Sequence, residues 1–362
     1  MKKVKNILFR MNLKGEGIVN FDSSDQKWMF NGTNLGRMKT MYENTSYAKK
    51  KFYGTPEDLK YKICISSDCL KHEVFSQDVL FQSPNLINNE ALLYSFIASP
   101  VSLIRGYVFA ESGESLKRKG ALTIVDAEQT CDAITSISTF SKSGLKVQDT
   151  EKTDNSFYKK EDVGRIEYST RGNIDLMQLQ FVSCSQMFDR YAFNPDLFDT
   201  YTQFMKTKLP SFNSKLGYYL INGSVVELPE YGFLLNDDDV QALVKMLFER
   251  LLKLNIKRKG AFAETSNLEY KLVYDVIEDR FDSENGWITI KDKSDIESIS
   301  FDFEKFYIPE NIEAAEIKLA SIKADYERRK VAKKEKDADK KATAAAAKKA
   351  KKETKEKDDN NE

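Results

Sequence analysis

"NDDDVQALVKMLFERLLKL", residues 236–254, is the stretch on which the reading of the fold turns. Val240, Leu243, Val244, Leu247, Leu251 and Leu254 recur at intervals of three and four, the spacing that puts side chains on one face of an α-helix. Asn236 stands at the capping position, aspartates fill the first turn and the far end is basic, so both ends suit the helix dipole. Just beyond lies "KRKGAF", 257–262, so that a core helix presents Lys257, Arg258 and Lys259 from a rigid base, with Gly260 as a loop residue. A near copy, "KRKGAL", stands at 117–122. Either coincidence in a lysine-rich chain made the pair, or both copies approach one kind of polyanion.

Towards the N-terminus, residues 4–21 alternate apolar and polar in places and read as a first core strand. Tyr61 to Ile65 form a second short strand, followed by a helix capped by Ser66 or Ser67 with Leu70 and Val74 turned inward. The first turn of that helix offers backbone N–H groups to a phosphate, and plain capping is the competing reading. Residues 88–109 form an apolar helix broken at Pro100, and "ALTIVDA" after the first basic cluster reads as a buried strand. Residues 158–184 carry strand propensity around turn signals at Gly164 and Gly172, which fits a protruding hairpin. An amphipathic helix over 193–209 ends at Pro210, a hairpin turns at Asn222 and Gly223, and strands at 268–278 and 287–291 close the globular part near Pro309. The sum is an α+β chain with an interrupted ferredoxin-like or RRM-like pattern.

Two segments depart from it. Residues 22–60 form a long polar insertion in which Trp28, Phe30, Tyr42, Tyr47, Phe52 and Tyr53 mix with Lys27, Arg37, Lys39 and Lys49 to Lys51. Rings stack on unpaired bases while cations follow phosphates, and the alternative is an excursion that packs its rings on its own domain. From about 310 the chain turns rich in alanine, lysine and glutamate, a polar helix running into a solvated tail.

Composition bounds the rest. With 362 residues, 41% of them hydrophobic, the chain can bury one large or two ordinary cores, and its formal net charge of zero leaves room for local segregation of charge. No stretch approaches the roughly 20 apolar residues of a membrane span, and the start turns polar too soon for a signal peptide, so a soluble, cytoplasmic protein is expected. Cys64, Cys69, Cys131 and Cys184 include no C-x-x-C pair; Cys69 and His72 have C-x-x-H spacing, but two ligands do not make a structural zinc site. One histidine and the absence of G-x-x-x-x-G-K-[ST], G-x-S-x-G and H-E-x-x-H point to a binder without metal or cofactor.

"GEGIVNF" near the start, "ISSDCLKHEVF" at 65–75, "LIRGYVF" at 103–109 with "KRKGAL" after it, "LMQLQFVS" at 176–183 with "MFDR" at 187–190, and "GFLLNDDDVQALVKMLFERLLKL" at 232–254 stand in an order that resembles a known family. It is the backbone subunit of type I CRISPR effector (Cascade) complexes, the Cas-seven branch of the RAMP superfamily, and the chain is most similar to the compact variant of subtype I-F. The likeness spans most of 1–290; the tail and part of 22–60 depart from it.

The resemblance implies a non-catalytic subunit that forms a homo-oligomeric filament along CRISPR RNA and presents it for pairing with target DNA, beside other CRISPR effector subunits and no membrane. It implies one RNA-binding domain over 1–309, with a finger-like insertion at 22–60 and a thumb-like hairpin at 135–175, and a tail over 310–362. RNA would meet Ser66, Ser67, Lys71 and His72 on one helix, Arg105 nearby, Lys159, Lys160 and Arg165 on the thumb, and both basic clusters, Lys117, Arg118, Lys119 and Lys257, Arg258, Lys259, brought together on one face.

Two other readings stay open. Related type III subunits cleave target RNA with an aspartate after the first strand, and Asp22 and Asp25 in "FDSSD" occupy about that place, where an aspartate is ordinarily a turn residue. A freestanding single-stranded RNA-binding protein is the third.

Overall fold

In β1 (Asn6–Glu16) Ile7, Phe9, Met11, Leu13 and Gly15 are buried while Asn12, Lys14 and Glu16 are exposed, the two-residue period of an extended chain with one face on the core. The computed structural model describes residues 2–22, 27–30, 33–37, 47–48, 50–53, 60–111, 114–131, 135–142, 156–185, 190–224, 228–258, 260–274 and 284–321, with 324 and 328. Beyond β1 and among shorter pieces come β2 (Lys50–Tyr53), β3 (Lys60–Ile65), α1 (Ser67–Val74), α2 (Glu90–Ile97), α3 (Pro100–Arg105), and a hairpin of β4 (Tyr107–Glu111) and β5 (Glu114–Arg118). Next are β6 (Leu122–Ile124), β7 (Ala127–Gln129), a second hairpin of β8 (Thr135–Lys142) and β9 (Ser156–Val163), β10 (Arg165–Asp175), α4 (Leu176–Gln180), β11 (Phe181–Ser185) and α5 (Phe198–Lys208). The chain continues through β12 (Gly217–Ile221), β13 (Glu230–Leu234), α6 (Asp237–Leu252), β14 (Asn255–Arg258), β15 (Ala261–Val273), β16 (Ile288–Ile290), α7 (Lys293–Ser298) and β17 (Tyr307–Glu310).

The result is a mixed α and β fold built on an antiparallel sheet in the order β14-β15-β1-β10-β7-β3-β2, with β6 also on β10 and β16 also on β15. Register aligns the buried sides: Phe9 faces Gly172 and Tyr270, and Met11 faces Thr170 and Leu268. Helix α6 packs on this side, Phe248 meeting the Tyr270 ring at 5.4 Å, and it buries Val240, Leu243, Val244, Leu247, Phe248 and Leu251. Each such side chain is worth about 1.5–3 kcal/mol. Asn236 Oδ1 accepts from the Asp239 amide at 2.8 Å, which starts the helix where the sequence puts its cap. The apolar helix is broken at Pro100 into α2 and α3, with Ser99 capping the second.

The hairpin expected over 158–184 is corrected. β8 and β9 pair from Thr135 with Val163 to Lys142 with Ser156, but residues 165–175 form a central strand of the main sheet. Gly172 turns nothing: a Cβ there would lie 2.4 Å from the Phe9 ring and 2.2 Å from the Thr123 carbonyl oxygen, so glycine lets ring and backbone close in. Nor is 22–60 simply a loop, since Lys27–Phe30 pairs with Thr33–Arg37, Phe21–Asp22 with Tyr47–Ala48, and β2 extends the main sheet beside β3. The side chains of that insertion, including its aromatics and Asp22, and all of Asp25, lie outside the described residues.

The chain divides into two units, 1–216 with 232–306 and 217–231 with 307–362, so the break expected at 309 falls inside β17. In the smaller unit β12 pairs with β17, Tyr218 meets Tyr231 at 4.9 Å, residues 312–321 are helical, and Lys318 pairs with Glu310 at 3.0 Å. Among the described residues no helix is long and apolar enough to cross a membrane.

Candidate nucleic-acid interface

The larger unit gathers cations around α1, away from its N-terminus. Ser66 Oγ accepts from the Cys69 amide at 3.3 Å and from Asn20 Nδ2 at 3.0 Å, and the Ser67 amide donates to Asp126 Oδ1 at 2.8 Å. Ser66 and Ser67 were expected to hold phosphate; their helix end is instead closed by a carboxylate, with Asp68 exposed beside it, and a second anion would be repelled. Capping explains Ser66, and Ser67 is the first helical residue, its amide held by Asp126.

The other end of α1 differs. His72 is exposed and Lys71 half-buried. Glu73 Oε1 pairs with Arg258 Nη2 of β14, which ties the second basic cluster to this helix. From α6, Arg250 Nη1 donates to the Val74 carbonyl at 3.3 Å, and its guanidinium lies 5.7 Å from the centre of the Phe75 ring. Burial lowers the Arg250 pKa from the ordinary arginine value, with Asp78 and Glu249 pulling the other way. Arg105, ending α3, stacks 4.9 Å from the Phe81 centroid. Its pKa is also lowered by burial against the pull of Asp68 and Asp78, and its Nη1 is buried with no hydrogen-bond partner among the described residues. Two desolvated guanidiniums thus bracket the segment from Phe75 to Phe81, and Asp78 attracts both.

The first basic cluster does not join them. Arg118 is 6% exposed and donates to the carbonyls of Leu103 at 3.3 Å, Phe181 at 2.8 Å and Gln178 at 2.8 Å. It knits three segments of the core and is not a surface cation. Lys117 and Lys119 flank it, half-buried and exposed. Asp175, opposite Asn6 on β1, donates its amide to Ala121, whereas Lys257 faces Phe262, opposite Glu16. The clusters therefore stand at opposite ends of β1, on the order of 30 Å apart along the strand. The convergence on one face expected from the two copies is corrected.

Arg165 opens β10 on the sheet face opposite the helices, where it is exposed and 3.8 Å from Glu167. Lys259 and the side chains of Lys159 and Lys160 lie outside the described residues. That open face also carries Arg10, held by Glu269 at 2.5 Å and Glu284 at 3.1 Å and lying 4.7 Å from the Trp287 centroid, and Lys14, 3.6 Å from Glu264. Arg10, Lys14 and Arg165 each have an acid beside them. Among the described residues no group of three or more histidine, cysteine, aspartate or glutamate side chains could hold a metal ion, so Cys69 and His72 gain no further ligand there.

Arg250 belongs to no basic run. Its signal is spacing: it stands three after Leu247 and seven after Leu243, a lone cation on the apolar face of α6.

Comparison with solved structures finds two chains titled CRISPR RNA-guided surveillance complex, one of them pre-nicking. They share 10% and 8% identity, cover 73% of this chain in each case and 68% and 77% of their own length, and have TM-scores of 0.34 and 0.33. A type IV-B CRISPR complex chain follows at 11% identity, 46% and 73% coverage and a TM-score of 0.26. Scores below 0.5 do not establish a common fold. Comparison with curated proteins finds no match. The sequence profile of one family, described as type I-Fv CRISPR-associated protein Cas7fv-like, matches residues 3–307. That span takes in α1, both basic clusters and α6, and the chain belongs to the type I-Fv CRISPR-associated Cas7fv-like family.

Proposed function

We propose that this chain is a non-catalytic guide-RNA-binding backbone subunit of a type I CRISPR effector complex, polymerising along the RNA and leaving sequence recognition to pairing with target DNA. Family membership over residues 3–307 is the observation that carries the reading. The order β15-β1-β10-β7, with α1 and α6 as the two crossover helices, supports a ferredoxin-like core. The β8–β9 hairpin, with Lys159 and Lys160, is the segment that serves as thumb, and 22–60 the finger.

The grip on RNA belongs to the α1, α6 and β14 side: Lys71, His72, Arg105, Lys257 and Arg258. These groups meet phosphate through charge and hydrogen bonds and carry no base-reading geometry, which suits a guide whose letters are read by pairing. Lys117 and Lys119 serve a separate contact at the other end of the sheet. Partner subunits of the effector and the target DNA enter through the guide.

Purification tests the reading. The full chain should bring down RNA of one protected length and run as oligomers that ribonuclease shortens. Heterogeneous RNA on a monomer would favour a freestanding binder, and loss of target-RNA cleavage in Asp22→Ala with Asp25→Ala would favour the nuclease.

A further inference from the structure

Between the C-terminal ends of α1 and α6 and the start of β14 lies a groove of about 450 Å³, lined by Glu73, Glu249, Arg250, Lys253 and Lys257 among others. Its acids are already engaged: Glu249 accepts from Lys253 Nζ at 2.6 Å and Glu73 pairs with Arg258. Arg250 and Lys257 remain, and among the described residues neither has an ion pair. A guanidinium partly stripped of water gains from a hydrogen-bonded anion, and here Arg250 and the exposed Lys257 open onto a cavity large enough for one small polar group. Arg250 is held in place by the Val74 carbonyl and the Phe75 ring, so its remaining N–H groups are oriented without further ordering.

We propose that this groove is a phosphate seat in which Arg250 and Lys257 together clasp one phosphodiester of bound single-stranded RNA. The proposal rests on the RNA-binding reading and adds a pair that no basic run contains, one member from the apolar face of a core helix and one from an edge strand. A phosphodiester fits better than a carboxylate because a planar fork and a mobile ammonium can reach different oxygens of one tetrahedral group.

The test is titration of the full-length chain with a labelled mixed-sequence RNA oligonucleotide over a salt series. Wild type is compared with Arg250→Gln, Arg250→Lys and Lys257→Gln, and a polyglutamate peptide serves as second probe. Arg250→Gln and Lys257→Gln should each weaken RNA binding several-fold and reduce the slope of log affinity against log salt, by at most about 0.7, the contribution of the one phosphate they share on a single strand. Arg250→Lys should restore most of the slope. Lys257 is exposed, so its variant reports even where Arg250→Gln does not fold. If wild type binds RNA and both neutral variants keep its slope, the groove is no phosphate seat and the RNA-binding reading stands. If the variants lose polyglutamate and not RNA, the seat belongs to an acidic peptide and the proposal is overturned. Wild type without affinity for RNA removes the broader reading and the seat together.

Discussion

"KRKGAL" and "KRKGAF" share five of six residues and almost nothing else. In the first copy Arg118 lies under the surface with its guanidinium spent on backbone carbonyls, and in the second Arg258 stands exposed on a short edge strand with one carboxylate partner. The glycines differ as well. A Cβ on Gly120 would lie 2.2 Å from the Arg105 carbonyl oxygen, whereas Gly260 has φ +91° and a Cβ there would meet none of the described residues within 4 Å. One is small because the backbone of a neighbour passes against it, the other because the chain turns left-handed. A motif fixes chemistry; its environment decides whether that chemistry faces water, a partner or the core.

The largest test of this contrast exchanges the arginines for methionine. Arg118→Met strands several buried carbonyls and should cost about 4 kcal/mol, while Arg258→Met removes one ion-pair contact to the largely buried Glu73 and should cost about 1–2 kcal/mol. Urea unfolding of the two variants measures both, and equal losses would erase the distinction.

Glycine exchange comes next. Gly120→Ala should destabilise by about 3 kcal/mol through forced backbone displacement, and Gly260→Ala by about 1 kcal/mol through strain at positive φ. The ratio, read from the same unfolding curves, separates crowding from conformation.

The aspartates of α6 extend the contrast to acids, with the smallest effect. Asp237 is exposed and pairs with Lys305; Asp239 is fully buried, with Oδ1 accepting from Ser211 Oγ at 2.5 Å and Oδ2 without a hydrogen-bond partner among the described residues. Burial raises the Asp239 carboxyl above its ordinary 3.8, against the pull of Ser211 and Asn236. The folded state therefore holds this proton more tightly than the unfolded one, and stability contributed by Asp239 falls as pH rises from the ordinary carboxylate value through the raised one. Asp239→Asn should melt higher than wild type above that window and lose its advantage below it, whereas Asp237→Asn should show no such gain. Thermal melts across the acid range decide this.

Where local pattern and environment agree, the sequence was readable. Helix α6, its cap at Asn236 and the break at Pro100 follow from spacing and backbone chemistry alone. The role of β10 did not, because a glycine inside a strand can mark a turn or a close approach, and only the Phe9 ring over Gly172 decides which. Arg118 lay in plain sight: Leu116 and Arg118 are two residues apart on one strand and both are buried, an alternation hidden when the run is read as a block of charge. The sequence offers Ser66 or Ser67 as the cap and Ser66 is the one that caps, but Asp126, 59 residues from Ser67, also closes the helix end, and no local pattern reports it.

The Arg118 knot has a practical side. Its bonds run to neutral carbonyls inside the protein, so dissolved ions have little purchase on them, whereas contacts between exposed lysines and a polyanion weaken steeply as ionic strength climbs. On the proposed reading, concentrated brine should therefore rinse nucleic acid from the surface and leave this joint closed, so that emptied subunits can be recovered folded and reloaded with a chosen strand.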